Sequence, residues 1–301
     1  MSAGQPDSGS LPGDSFPARP VSGPTALRIA LGTQLRRLRE SKGLTRQQAG
    51  TALRGSHAKI GRLELGQVGF KQRDVADLLT LYGVDDEQER ATILALAQRA
   101  NTPGWWHRYA DILPGWFELY LGLEQDISVI RTYESHLVPG LLQTEDCARA
   151  VIEIGHPTAT PEQIERRVAL RLQRQQLLAQ SDPPALWAVV DEAALRRLGG
   201  RAVTCTQIRH LIEISDLPHV TLQVMPFRSG AHPAASGPFS ILRFSHPDLP
   251  DIVYLEQLTS ALYLDKRADV EHYAVVMDRL CAQIDLPAAT EDVLTAIRAE
   301  F

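Results

Sequence analysis

Eight residues between positions 46 and 62 are of types that could recognise a ligand by hydrogen bonding: Arg46, Gln47, Ser56, His57, Ala58, Lys59, Gly61 and Arg62. Their chemistry is non-covalent. A serine hydroxyl donates or accepts, an imidazole N–H donates to guanine N7 or O6, and an alanine methyl packs on a thymine methyl. Gly61 carries no side chain and lets the backbone come close. Arg46, Gln47, Lys59 and Arg62 suit phosphate oxygens, which supply affinity and register but no sequence information. The set works only if Ser56, His57 and Ala58 form the first turn of a helix, with Gly61 one turn on, and that helix enters a major groove.

The surrounding residues predict such a helix and its supports. A first helix over Leu27–Ser41 places Leu31, Leu35 and Leu38 on one face and Arg36, Arg37 and Arg39 on the others. Gly43 ends it. Thr45 reads as the N-cap of a second helix, with Gln48 completing a capping box. Leu53 closes that helix and Arg54-Gly55 turns the chain. Ser56 caps the third helix, Ile60 and Leu63 face inward, and Gly66 stops it. A glycine inside the second helix, Gly50, costs roughly 1 kcal/mol relative to alanine. Further helices are expected over Lys71–Tyr82 and from Asp85 or Asp86 onward, with Ile93, Leu94, Leu96 and Ala97 inward. The division expected is an arm over 1–24, a five-helix unit over 25–100 and a second domain over 101–301.

The chain has 301 residues and a net charge of −5. Residues 27–70 hold nine Lys/Arg against two Asp/Glu, a surplus of seven cations that leaves the rest at −12. A basic module on an acidic chain implies a polyanionic partner for that module alone. No apolar run spans a membrane and no secretory signal is expected, which points to the cytoplasm. Cys147, Cys205 and Cys281 show no metal-ligand spacing and read as reduced thiols. The first 24 residues, rich in Gly, Pro, Ser and Asp, read as a disordered arm.

The second half predicts a mixed α/β domain. Strands are expected over 127–133, 186–190, 220–225, 239–244 and 252–255. Helices are expected over 144–154, 160–180, 203–215, 269–284 and 290–300, with a brief one capped by Asp191. Trp105, Trp106, Tyr109, Trp116, Phe117 and Tyr120 read either as a cluster packing the linker onto this domain or as rings lining a ligand pocket. Arg167, Arg171 and Arg174 lie on one helix face, which reads as a solvated face, a dock for an acidic protein or a second nucleic-acid surface. Arg131 and Glu134 read as an ion pair on a sheet surface. The 229–238 loop with His232 reads as a hairpin connection, with a lid as the alternative. Asp248 and Asp251 read as solvated. No nucleophile elbow, zinc-protease or nucleotide-binding motif occurs, so neither an enzyme, a cofactor nor a metal site is expected.

Residues Leu35–Gly66, with Leu44-Thr45, the Ile60–Glu64 segment and the closing Gly66, resemble the Cro/repressor helix-turn-helix of the XRE class. The resemblance implies a five-helix, lambda-repressor-like domain that binds double-stranded DNA, with Ser56, His57 and Ala58 at base-reading positions. Arg46 stands where that class usually has a phosphate-contacting Gln, and Ala49-Gly50 where it has Leu-Ala. Trp105-Trp106, Ile130–Glu134 and Val138–Thr144 resemble an actinobacterial regulator family in which such a module precedes a domain of uncharacterised function. Members are typically encoded beside a small acidic protein and are described as antitoxin-like. That resemblance implies a protein partner, with Trp105, Trp106 and the three arginines as its candidate surface.

The expectation is therefore a transcription regulator, homodimeric on an inverted repeat with half-sites about 10 bp apart. Its second domain would sense a small protein or ligand. The alternative is an antitoxin-like module that sequesters a small partner and autoregulates its operon.

Overall fold

The computed structural model describes residues 23–245 and 249–301. Most of the expected arm, residues 1–22, lies outside them, as does Asp248. The first helix, α1 (Pro24–Ser41), begins three residues earlier than its leucine periodicity predicts. Gly23 is its N-cap and Pro24 occupies the first turn, where a missing N–H costs nothing.

Four more helices complete the N-terminal unit: α2 (Arg46–Ala52), α3 (His57–Glu64), α4 (Gln72–Leu81) and α5 (Glu87–Ala100). Leu31, Leu35, Ala49, Ile60, Leu63, Phe70, Val75, Leu79 and Ile93 are buried together in one core. Two glycines set how closely its helices pack. A Cβ on Gly32 of α1 would lie 2.6 Å from the carbonyl oxygens of Leu63 and Glu64. A Cβ on Gly50 would lie 2.9 Å from the carbonyl carbon of Ser56. The lost helix propensity at Gly50 is thus the condition for α2 and α3 to meet backbone to backbone.

After a turn over Trp105–Tyr109 comes α6 (Gly115–Glu124), where the sequence had suggested only an aromatic cluster. Next come β1 (Ile127–Glu134), α7 (Glu145–Gly155), α8 (Pro161–Gln175), β2 (Ala185–Asp191), α9 (Glu192–Arg196), α10 (Arg201–Ser215) and β3 (Val220–Met225). They are followed by β4 (Phe239–Phe244), β5 (Ile252–Glu256), β6 (Ala261–Leu264), α11 (Arg267–Gln283) and α12 (Thr290–Ala299). β6 was not expected.

The strands form one sheet in the order β3-β2-β1-β4-β5-β6. β1, β2 and β3 are parallel, joined by helical crossovers, and β4, β5 and β6 add antiparallel. Because β2 and β1 separate β3 from β4, the 229–238 loop is a crossing connection and not the expected hairpin. One face of the sheet packs on α11 through Tyr133, Val189, Ile241, Val253 and Met277. The opposite face builds the largest core with α6, α7, α10 and α12.

Helix α1 serves both cores. Leu27, Leu31 and Leu35 face the five-helix unit, while Ala26 and Ile29 pack with Tyr120, Leu123 and Ile127 of the sheet domain. Its start is tied down by Asp126, whose carboxylate accepts from the Gly23 N–H at 2.9 Å. Gly122 of α6 sits against Thr25 so closely that any Cβ there would collide with it.

Candidate nucleic-acid interface

Local capping builds the interface. Thr45 and Gln48 form the expected reciprocal box: Gln48 N–H donates to Thr45 Oγ1 at 3.2 Å, and Thr45 N–H donates to Gln48 Oε1 at 2.8 Å. Ser56 caps α3 by accepting from Lys59 N–H at 3.2 Å. That bond uses an acceptor lone pair and leaves the hydroxyl proton to donate outward. His57, Ala58 and Arg62 are exposed, and the space over Gly61 is open. Arg54, between the two helices, holds φ at +50°, and the following Gly55 N–H closes the turn on Gly50 O at 2.8 Å.

A buried carboxylate clamps the three helices. Glu64, at the end of α3, accepts from Arg39 Nε of α1 at 2.5 Å and from Arg46 Nε of α2 at 2.8 Å. Arg39 also donates to the Leu44 carbonyl at 2.6 Å, fixing the α1–α2 link. The bond to Glu64 holds the Arg39 pKa above its ordinary value. Sequence reasoning gave Arg39 no role and treated Glu64 only as part of a motif. The signal available was an acid two residues before Gly66, on the inward face beside Ile60 and Leu63.

The expected phosphate contacts therefore divide. Gln47 and Arg62 are exposed, and among the described residues Arg62 has no ion-pair partner. Arg46 is part-exposed and shares its guanidinium with Glu64. Lys59 reaches back to Asp74 of α4 at 2.6 Å. A shallow depression between α1, α2 and α3 brings Arg36, Thr45, Arg46, Gln47 and His57 onto one surface. Arg36, which sequence reasoning left on an outer face, belongs to it.

The second group of candidate residues is placed elsewhere. Arg174 is buried, with Nε and Nη2 on the Glu124 carboxylate at 2.9 and 2.7 Å and its guanidinium over the Phe117 and Tyr120 rings. Arg171 Nη1 donates to Gln143 Oε1 at 2.7 Å. Arg167 donates to the Ile112 carbonyl at 3.2 Å. The expected arginine stripe is tied to the protein's own groups: Arg174 is buried, and Arg167 and Arg171 are half-buried. Trp106 is buried with Tyr109, Ile112, Leu121 and Leu170, Trp105 packs edge-on against it, and the packing alternative is the one realised.

The Arg131–Glu134 ion pair does not form. Residues three apart on a strand point to opposite faces, and Arg131 pairs with Asp278 of α11 at 2.6 Å. Asp251 pairs with Arg243 at 3.1 Å rather than standing free in solvent. His232 Nε2 lies 3.2 Å from the Tyr133 hydroxyl, which also reaches Asp191 Oδ2 at 3.4 Å. The fold thus places a carboxylate near His232 that the sequence did not reveal.

Residues 30–93 match a helix-turn-helix domain, which covers α1 from Ala30 through the first half of α5. Residues 117–296, more than half of the chain, match the family described as Domain of unknown function (DUF5753). The chain belongs to the DUF5753 family. In this chain a helix-turn-helix domain of DNA-binding type precedes the DUF5753 domain, and the latter holds the whole six-stranded sheet. No curated protein and no solved structure matches the chain. Among the described residues no helix is long and apolar enough to cross a membrane, and no cluster of His, Cys, Asp and Glu could hold a metal ion.

Proposed function

We propose that this protein is a sequence-specific transcription regulator whose α3 enters the DNA major groove. The observation that carries the reading is the unobstructed first turn of α3. Ser56, His57 and Ala58 stand exposed in succession, with open space over Gly61. Arg62 and Gln47 flank them as exposed polar groups, and Arg46 stands part-exposed beside Gln47.

In this reading Ser56 and His57 donate to base edges, Ala58 meets a thymine methyl, and Gly61 lets the helix backbone approach. Arg46, Gln47 and Arg62 contact phosphates. Lys59 contacts a phosphate only when it releases Asp74. The unit over 25–100 reads DNA as a homodimer on an inverted repeat, and residues 101–301 sense a ligand. Control by a ligand requires that it bind two states of the protein unequally. The shared helix α1 supplies a direct mechanical link between the sensing core and the reading helices.

Selection of bound fragments from genomic DNA by the full-length protein tests this. Recovery of one inverted repeat by the wild type, and its loss in Ser56→Ala/His57→Ala, is the expected result. Recovery of the same fragments by both proteins would remove α3 from base reading.

A further inference from the structure

The buried charges of the sheet domain are unevenly matched. Arg174 has its carboxylate, Glu124. Arg171, one turn away on α8, does not: among the described residues its only hydrogen bond is to the amide oxygen of Gln143. Burial beside the Arg174 charge lowers the Arg171 pKa to about 10, a direction that an anion would reverse.

The opposite mismatch lies on the sheet. Glu134 closes β1 on the face turned away from α11 and accepts no hydrogen bond from any described residue. The β4–β5 register sets Ser240 opposite Tyr254. Continued by two residues, it sets Glu256 in the row of Glu134, two strands away on the same face. Burial and the Glu256 charge push the Glu134 carboxyl up to about 8. Glu256 is held by the Tyr254 hydroxyl at 2.8 Å, and the Tyr254 ring packs on Tyr120, over which lies the guanidinium of Arg174, one turn from Arg171.

Next to the row of Glu134 and Glu256 on the same face, the row Thr132–Ser240–Tyr254–Tyr263 carries hydroxyls and ring faces. Thr132 and Ser240 are hydrogen-bonded at 2.8 Å, and the Tyr254 ring lies 4.4 Å from Tyr120 and 5.2 Å from Tyr263. Glu134 and Arg171 both keep part of their surface in solvent, so each is accessible from outside. Open α/β sheets bind ligands beyond the carboxyl ends of their parallel strands, where the strand order turns. The order here turns about β1, and Glu134 is its last residue.

We propose that this cluster of groups binds a small zwitterion of the α-amino acid class, its ammonium between Glu134 and Glu256 and its carboxylate on Arg171. Each end supplies the charge that a half-buried protein group lacks. The inference rests on the regulator reading above and names the ligand class that its sensing half would take. The site lies one helix away from α1, because Arg174 of α8 is bonded to α6 and α6 packs on α1.

The test titrates the full-length protein calorimetrically with the common L-α-amino acids, each beside its decarboxylated amine and its deaminated acid. At least one amino acid is expected to bind, with the matched amine and acid at least about tenfold weaker. In Arg171→Gln the amino acid should bind no better than its amine. In Glu134→Gln it should bind no better than its acid.

The proposal is overturned if no amino acid binds, if the amine or the acid alone binds the wild type as tightly, or if both variants bind unchanged. The ligand comparison uses only wild-type protein, so it decides the matter even where a variant does not fold. Fragment selection uses no added ligand. DNA reading and amino-acid binding can therefore fail separately.

Discussion

Two helices of this molecule carry comparable arginine runs and use them in opposite ways. On α1, Arg36 and Arg37 lie away from the Leu31–Leu35 stripe and stay exposed. On α8, Arg167, Arg171 and Arg174 share the stripe of the buried Ile164 and Val168, so packing that stripe carries the charges inward. One run borders an open polar surface. The other is drawn against the protein's own groups, Arg174 on Glu124, Arg171 on Gln143 and Arg167 on a backbone carbonyl, and only Arg174 meets a counter-charge. The position of a charge relative to its helix's apolar stripe, more than the number of charges, decides whether a partner can reach it.

The sharpest way to break this comparison is to remove the buried acid from the α8 side. Glu124→Ala strands the Arg174 guanidinium among Phe117 and Tyr120, and should cost about 3–5 kcal/mol in urea unfolding. A cost under about 1 kcal/mol would mean that Arg174 escapes to solvent and that α8 resembles α1 after all. Next in size is Gly50→Ala. Helix propensity alone favours it, yet the new Cβ meets the Ser56 backbone, so the substitution should destabilise by about 1–3 kcal/mol. A gain in stability would show that α2 and α3 can separate without penalty.

A smaller effect separates the exposed cations from the tied ones. Arg62→Ala should lower the slope of log affinity against log salt by about 1. Lys59→Ala should lower it by less, since Asp74 already holds that ammonium. Equal slopes would mean that the Asp74 bond yields to DNA.

A pH dependence in the sheet domain is a further test, its size reduced because Glu134 keeps part of its surface in solvent. The folded protein binds the Glu134 proton more tightly than the unfolded chain does. The contribution of that group is complete below pH 4.5 and is lost as the pH rises to about 8. The thermal midpoint of the wild type should fall across that window more than that of Glu134→Gln. Parallel profiles would place the titration elsewhere.

The five-helix unit was legible because its signals are local. Thr45, Gln48 and Ser56 cap within four residues of themselves, and the leucine spacing of α1 needs no distant partner. What escaped was tertiary. The Arg39–Glu64–Arg46 clamp joins residues up to 25 positions apart, and the second role of Ala26 and Ile29 depends on α6, which was not foreseen. Glu134 was assigned to Arg131 by proximity in sequence, although strand geometry alone forbids that pairing. The inward turn of the α8 arginines was also readable, since Ile164 and Val168 mark the same face.

The most direct test of the account is a titration of wild type and Ser56→Ala/His57→Ala against the selected repeat and against random DNA, at several salt concentrations. The account predicts that the double variant loses its preference for the repeat, each lost base contact costing about 1–3 kcal/mol, while its affinity for random DNA and its salt slope stay unchanged. Equal loss on both DNAs, or a preference that survives, would contradict base reading by α3.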